Sequence, residues 1–260
     1  MPAIVALVKH VPDTWSTKSL EADYTSDRVS VDNVIDEINE YSVEQALRLR
    51  DDNPEAGFRV IALTMGPAAA ADALRKALAM GADDAVHVLD DSLAGSDALS
   101  TAWTLNAAIN TIEDVAIITM GNAASDSYTG LLAGLLSEYR QIPAMTEMQS
   151  LTLEGQTLRG VRVDSRGRFE LQANLPAIAS VTDKADKPRF PNFKGLMAAK
   201  KAEITTVDLA SLGISAVAPT TTVVEASRRP ERTAGELITD PNPAAAASQI
   251  VDFLAAKNLI

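Results

Sequence analysis

Two histidines, no cysteine, and one hydroxyl-rich loop held between two glycines contain most of the chemistry this chain could do. His87 sits inside an apolar stretch and reads as a satisfied structural histidine; His10, just past the first apolar run, is kept as a minor functional candidate. Without cysteine there is no disulfide, thiolate metal site or cysteine nucleophile. No H-E-x-x-H or G-x-S-x-G occurs, so no catalytic residue and no metal ligand is expected. That lack of an acid, base and nucleophile set favours a binding or carrier role over bond-making. The loop Gly121-Asn122-Ala123-Ala124-Ser125-Asp126-Ser127-Tyr128-Thr129-Gly130 has two readings of equal weight. It can wrap a phosphate with backbone donors and the Ser125 and Thr129 hydroxyls, or it can simply cap a helix through Ser127 or Thr129. Neither a Walker A lysine motif nor a G-x-G-x-x-G run is present, so ATP hydrolysis and a standard dinucleotide fingerprint lose support.

Short apolar runs alternate with helical periodicity around these residues. Strands are expected at 4–8, 59–65, 85–89 and 115–120, each followed by a helix, at 34–50, 69–80, 98–112 and 129–139. The strands are apolar nearly throughout, as in a parallel sheet covered on both faces. In the first helix Val43, Ala46, Leu47 and Leu49 form the apolar stripe, and Glu40, Glu44, Arg48 and Arg50 the charged side. Gly81 is placed to end the second helix. Three strand-to-helix turns, after residues 8, 65 and 120, lie where an open parallel sheet binds ligands. Trp15, beyond the first strand, either covers the core or lies against a planar cofactor.

From about residue 148 the pattern changes to short strands with glycine turns at Gly155 and Gly167, which read as antiparallel hairpins. Residues 184–201 read as a surface loop, 203–208 as a strand, 214–233 as an extended arm and 243–257 as a closing amphipathic helix. The fold class is therefore α/β: an open, mostly parallel nucleotide-binding sheet with helices on both faces, a small antiparallel hairpin region and a C-terminal arm. The expected division is a main domain over 1–214 and an arm with its helix over 215–260.

A net charge of −12 argues against nucleic acid, whose backbone needs a clustered basic face. The N-terminal apolar run is far shorter than a membrane span and lacks a preceding basic segment, so no membrane insertion is expected and a cytoplasmic address is compatible.

Four stretches together resemble one family across nearly the whole chain, the β (small) subunits of electron transfer flavoproteins. They are Val8-Lys9-His10-Val11-Pro12-Asp13; Ile35-Asp36-Glu37-Ile38-Asn39-Glu40 with Val43-Glu44-Gln45-Ala46-Leu47; Arg75-Lys76-Ala77-Leu78-Ala79-Met80-Gly81-Ala82-Asp83; and Leu175-Pro176-Ala177-Ile178 followed by Lys187-Pro188-Arg189-Phe190 and Leu196-Met197-Ala198-Ala199-Lys200-Lys201. The resemblance implies a structural AMP touching Leu7, Asp36, Glu37, Ile38, Asn39, Met65, Ser125, Asp126, Thr129 and Gly130. It also implies an FAD held mainly by a partner α subunit, with Thr14 and Trp15 close to that flavin. Residues 184–201 are similar to the family's recognition loop, which implies docking of acyl-CoA dehydrogenases and related donors through Phe193, Leu196 and Met197, with electrons passed on to a quinone oxidoreductase.

Two departures stand out. The fourth loop is shorter than the acidic, Gln-Thr-Gly-bearing loop of many members, and residues from Arg162 onward match the family only loosely until Leu175-Pro176. Members carrying a second FAD in place of AMP usually show a longer acidic loop, which makes AMP the expected ligand. Two other classes stay open on the residues alone: a nucleotide-sensing module without a redox role, and an adenine-nucleotide hydrolase on the same type of sheet.

Overall fold

The computed structural model describes residues 1–227, 229–230, 235, 237–239 and 242–260. It divides into two compact units, Met1–Val223 and Val224–Ile260. Arg228 and residues 231–234, within the expected arm, lie outside the described residues.

The first unit opens with strand β1 (Ala3–Leu7), followed by a short antiparallel ribbon of β2 (His10–Pro12) and β3 (Asn33–Ile35), then helix α1 (Glu37–Asp51). The helix expected from residue 34 thus starts three residues later. The apolar Val34-Ile35 pair is taken by the ribbon, where Ile35 faces His10 and Val34 faces Val11. β4 (Arg59–Met65), α2 (Ala71–Met80), β5 (Asp84–Val88), α3 (Ala98–Asn110), β6 (Val115–Gly121) and α4 (Leu132–Arg140) follow in the expected alternation. Gly81 ends α2 at φ +126, its N–H donating to the Ala77 and Leu78 carbonyls. Past α4 come β7 (Ala144–Met148), an antiparallel three-stranded sheet of β8 (Ser150–Glu154), β9 (Thr157–Asp164) and β10 (Gly167–Asn174), then β11 (Ala177–Val181), helix α5 (Phe193–Lys201) and β12 (Thr205–Val207).

The main sheet has the order β12-β5-β4-β1-β6-β11-β7 and every neighbouring pair is parallel. The side-chain period of two splits β1 between two cores. Ile4 and Ala6 join Val43, Ala46 and Leu47 of α1 and Leu74 and Ala77 of α2, while Ala3, Val5 and Leu7 join Ala102, Leu105 and Ile109 of α3 and Leu136 of α4. Right-handed crossovers account for this layering: stepping from β1 to β4 to β5 puts α1 and α2 on one face, and returning past β1 to β6 puts α3 on the other. The chain therefore leaves β1 and β6 in opposite directions, and their C-terminal ends bound a crevice at the topological switch point.

The stretch read as a surface loop at 184–201 holds helix α5. Asn192 caps it, its side-chain oxygen accepting from the Gly195 N–H at 2.8 Å. Leu212 and Ile214 pack against the second core, and the Thr220 N–H donates to Asp97 at 2.7 Å, so the chain stays with the first unit beyond residue 214. The second unit contains helix α6 (Pro243–Ala256), with Pro243 in its first turn and Asn242 accepting from the Ala244 N–H at 3.0 Å. Among the described residues no helix is long and apolar enough to cross a membrane.

Candidate functional site

The end of β1 and the start of α1 are tied by backbone geometry. The Asp36 N–H donates to the Lys9 carbonyl at 2.9 Å, and the Asn39 side-chain oxygen accepts from the Lys9 N–H at 2.8 Å. This carries Asp36, Glu37, Ile38 and Asn39 back over the sheet edge after the excursion through residues 13–32. Gly121 then lets them reach β6. A Cβ there would sit 2.5 Å from the Ile38 Cγ2 and 3.0 Å from the Asn39 Nδ2, so only glycine lets the first turn of α1 rest on the end of that strand. Gly121 is thus a packing glycine at the end of β6, whereas the phosphate-loop reading had placed it at the loop's flank.

The fourth loop closes the crevice. The Ser125 N–H donates to the Asp36 carboxylate at 2.7 Å, joining the α1 start to the loop. Burial raises the Asp36 pKa, and the hydrogen bond from Ser125 opposes that rise. The Ser125 hydroxyl is buried and makes no hydrogen bond of good geometry. Asp126 turns inward with its side chain 2% exposed, accepts from the Lys9 Nζ at 2.8 Å and pairs with the Arg28 guanidinium. Burial pushes the Asp126 carboxyl up, but Lys9 and Arg28 outweigh it and hold the pKa below its ordinary value. Two cations therefore face one buried carboxylate, with the Asp36 carboxyl close enough to feel its charge. Beyond it, Tyr128 and Gly130 both take positive φ, and Thr129 and Gly130 are exposed.

The capping reading of this loop does not hold. α4 begins at Leu132 with Leu131 at its cap position and no side-chain cap, so neither Ser127 nor Thr129 satisfies its first N–H groups. The start of α1 likewise has no side-chain cap. The start of α4, with no side-chain cap, leaves donors that favour an anion, whereas at the start of α1 the Asn39 N–H is taken by the Asp36 carbonyl and the Asp36 carboxyl lies against the Ile38 N–H.

The structure gathers most of the expected nucleotide residues at this switch point. Asp36, Ile38, Asn39, Ser125 and Asp126 are linked through the contacts above. Leu7 ends β1 with its side chain in the core, leaving its backbone as the part near the crevice. Met65 ends β4 half-buried; Glu37, Thr129 and Gly130 lie at exposed margins. Two further contributors, Lys9 and Arg28, were not named as site residues from sequence. Lys9 lay within a quoted motif; nothing local marks Arg28, which reaches Asp126 across 98 residues.

Thr14 and Trp15 lie on the excursion. Trp15 is 92% exposed, which removes the core-covering reading, and its backbone N–H donates to the Asp13 side chain at 2.9 Å. Asp27 organises the same excursion by accepting from the Val29 and Ser30 N–H groups and from Ser19. A concavity beside it is lined by Ser16, Thr17, Ser19, Ser30 and Asp32 but by no basic side chain, so it offers little to an anion.

His87 is buried in β5, its Nε2 3.0 Å from the Gly66 carbonyl, consistent with a structural histidine. Burial lowers the His10 pKa, and its Nε2 is buried without a partner. Among the described residues no group of acidic or histidine side chains could hold a metal ion.

Phe193, Leu196 and Met197 project from α5, exposed by 79%, 45% and 41%. Next to them Phe190 is 95% exposed; it fell within a quoted motif without being singled out for docking.

Fold and site together define the class: a doubly wound α/β protein with a ligand crevice at the switch point of its parallel sheet. The electron transfer flavoprotein domain family matches residues 24–212. The chain is similar over its whole length to the electron transfer flavoprotein subunit beta of Mycobacterium tuberculosis (strain ATCC 25618 / H37Rv), with 42% identity covering 100% of both chains. It is also similar to the protein of the same name from Megasphaera elsdenii, at 31% identity over 99% of both chains. A further relative is the caffeyl-CoA reductase-Etf complex subunit CarD of Acetobacterium woodii, at 29% identity over 99% of both chains. The chain belongs to the electron transfer flavoprotein family, on its β-subunit branch, whose role is that of an electron carrier subunit.

Proposed function

We propose that this chain is the β subunit of a heterodimeric electron transfer flavoprotein, holding AMP at the switch-point crevice and completing the site of an FAD carried mainly by an α subunit. The observation that carries the nucleotide assignment is the uncapped start of α4 at the switch point, with the buried Ser125 hydroxyl and the partly exposed Lys9 and Arg28 cations beside it. These residues fit an adenine mononucleotide. The phosphate would take the first N–H groups of α4 with the Ser125 and Thr129 hydroxyls, and the Asp36–Asn39 segment, with the ends of β1 and β4 at Leu7 and Met65, would hold the nucleoside. Redox chemistry in such a complex is supplied by FAD. This chain's part is to bind, orient and shield, with Thr14 and Trp15 positioned to cover the flavin.

The same reading assigns α5 to docking. Phe193, Leu196 and Met197, ringed by Lys194, Lys200 and Lys201, would form an apolar anchor with a basic rim facing acyl-CoA dehydrogenases and related donors. The relative named for a caffeyl-CoA reductase complex supports a donor or acceptor of the acyl-CoA class. Electrons would leave through a quinone oxidoreductase, and the complex would work in the cytoplasm without nucleic acid or direct membrane insertion. Residues 215–260 would pack as an arm on the α subunit.

Capturing the tagged chain from its native lysate tests this. The expected product is a yellow complex with a second, larger chain, releasing one FAD and one AMP per heterodimer by mass spectrometry. A colourless chain lacking both nucleotides would reject the assignment in favour of a sensor module. Two FAD per heterodimer would replace AMP by flavin at the crevice.

A further inference from the structure

Helix α5 lies on the molecular surface with a single buried residue, Ala199, yet it is gripped at both ends. At its entrance stands a carboxylate that sequence assigned to the solvent face of α1. Glu44 is only 5% exposed, and its two oxygens are consumed by one residue. Oε2 accepts from the Arg189 N–H at 3.0 Å and from its Nε at 2.7 Å, and Oε1 accepts from its NH2 at 3.0 Å. The remaining arm of the guanidinium, NH1, donates to Asp51, one helical stretch further along α1, at 2.9 Å. The fork geometry of arginine is matched by two carboxylates on one rigid helix, and the backbone N–H fixes the main chain as well as the side chain. Three residues earlier Asp186 accepts from Gln45 at 3.2 Å and pairs with Arg48 at 3.2 Å.

The far end of α5 is held by α2. The Arg75 NH1 donates to the Ala199 carbonyl at 2.6 Å and to the Ala202 carbonyl at 2.5 Å, closing the orphan acceptors of the last turn. Between these grips Gly195 comes so close to the C-terminal end of α2 that a Cβ would lie 2.5 Å from the Ala79 carbonyl oxygen. The nine residues of α5 are too few to be stable alone, and the helix buries little apolar surface, so these contacts are what order it.

We propose that Arg189, clamped by Glu44 and Asp51, is a positioning residue for protein docking: it pre-orders the segment that presents Phe190, Phe193, Leu196 and Met197 to the electron-donating protein. The inference rests on the docking role proposed above for α5. Its physical content is that a pre-ordered apolar anchor forms a complex without the entropic cost of ordering nine residues and their flexible side chains at the moment of contact. Arg189 itself need not touch the donor.

The test uses the flavin-loaded heterodimer. A Glu44→Gln/Arg189→Met double variant removes both members, so no lone charge stays buried, and Arg189→Lys keeps the charge but loses the fork. Hydrogen exchange is read by mass spectrometry alongside the reduction of the complex by an acyl-CoA dehydrogenase and octanoyl-CoA. The double variant is expected to exchange its 190–201 amides at least roughly tenfold faster, with the central strands unchanged. It should also raise the KM for the carrier roughly three- to tenfold at an unchanged kcat. Arg189→Lys should fall between it and the parent, and flavin and nucleotide content should not move. Unaltered exchange over 190–201, unaltered KM despite faster exchange, or a change confined to kcat would each overturn the inference. Should the double variant fail to assemble, Arg75→Met loosens the same helix from its other end and is judged by the same exchange and KM criteria. Phe193→Ala in the parent reports the docking reading separately. No effect there removes that reading, whereas an effect there with none from the clamp variants removes this inference alone.

Discussion

Asp126 shows how a residue's neighbours decide its meaning. From sequence it is one acidic residue in a hydroxyl-rich loop, an awkward partner for a phosphate. Folded, it is a buried counter-ion for Lys9 and Arg28, both of which stay partly exposed. Its pKa is depressed in the folded protein, so the stability it contributes is fully present above the ordinary carboxylate value of 3.8 and is lost as pH falls through the lower native value. Asp126→Asn is therefore expected to lower unfolding stability by about 1–3 kcal/mol at neutral pH. Urea titrations of parent and variant between neutral and acidic pH should converge toward the acid end. A difference that persists below the native pKa would contradict the ion-pair account. Asp36 has the opposite sign: burial raises its pKa, so its ionisation costs stability as pH rises through the native value. That energy is stored where the nucleotide is proposed to bind.

Two glycines decide how helices approach at the level of elements. Gly195 brings α5 onto the end of α2, with backbone as the obstacle to any side chain there. Gly195→Ala should shift the helix and cost about 1–3 kcal/mol, read by thermal unfolding. At Gly121 the obstacle is Ile38, branched close to its own backbone, so Gly121→Ala should push the start of α1 away from β6 and lower the bound nucleotide recovered per heterodimer. Nucleotide content equal to the parent's would separate this glycine from the site. The apolar pattern predicts most of the elements on either side of these contacts, because β4, α3 and β6 carry continuous or periodic apolar faces. β11 escaped that reading. Its five residues, Ala177-Ile178-Ala179-Ser180-Val181, are short and half small, and they become a buried strand because β6 and β7 supply partners on both sides. α5 escaped for a related reason: its order comes from Asn192, Arg75 and Arg189, each acting from a turn or another helix.

At the level of the whole molecule the second unit holds an apolar helix, α6, on which Ile250, Val251 and Phe253 are exposed by 49%, 53% and 39%. Such a surface fits the proposed role of an arm that a partner covers. Ile250→Glu with Phe253→Glu is expected to abolish co-purification of the flavin-bearing chain while leaving the thermal unfolding of this chain by itself unchanged. Retention of the partner at the parent's level would show that α6 is not the arm's contact.

By itself the sequence determined the α/β class, the alternation of β1, β4, β5 and β6 with α1 to α4 and, through four quoted stretches, the family. These follow from local periodicity and from residues close together in the chain. Only the tertiary structure decided the strand order, the place of β11 between β6 and β7, the ordering of α5, and the meeting of Lys9, Arg28, Asp36 and Asp126 at one crevice. Those depend on charges and backbone groups separated by tens to more than a hundred residues, and their pairing is settled by right-handed crossovers and close packing.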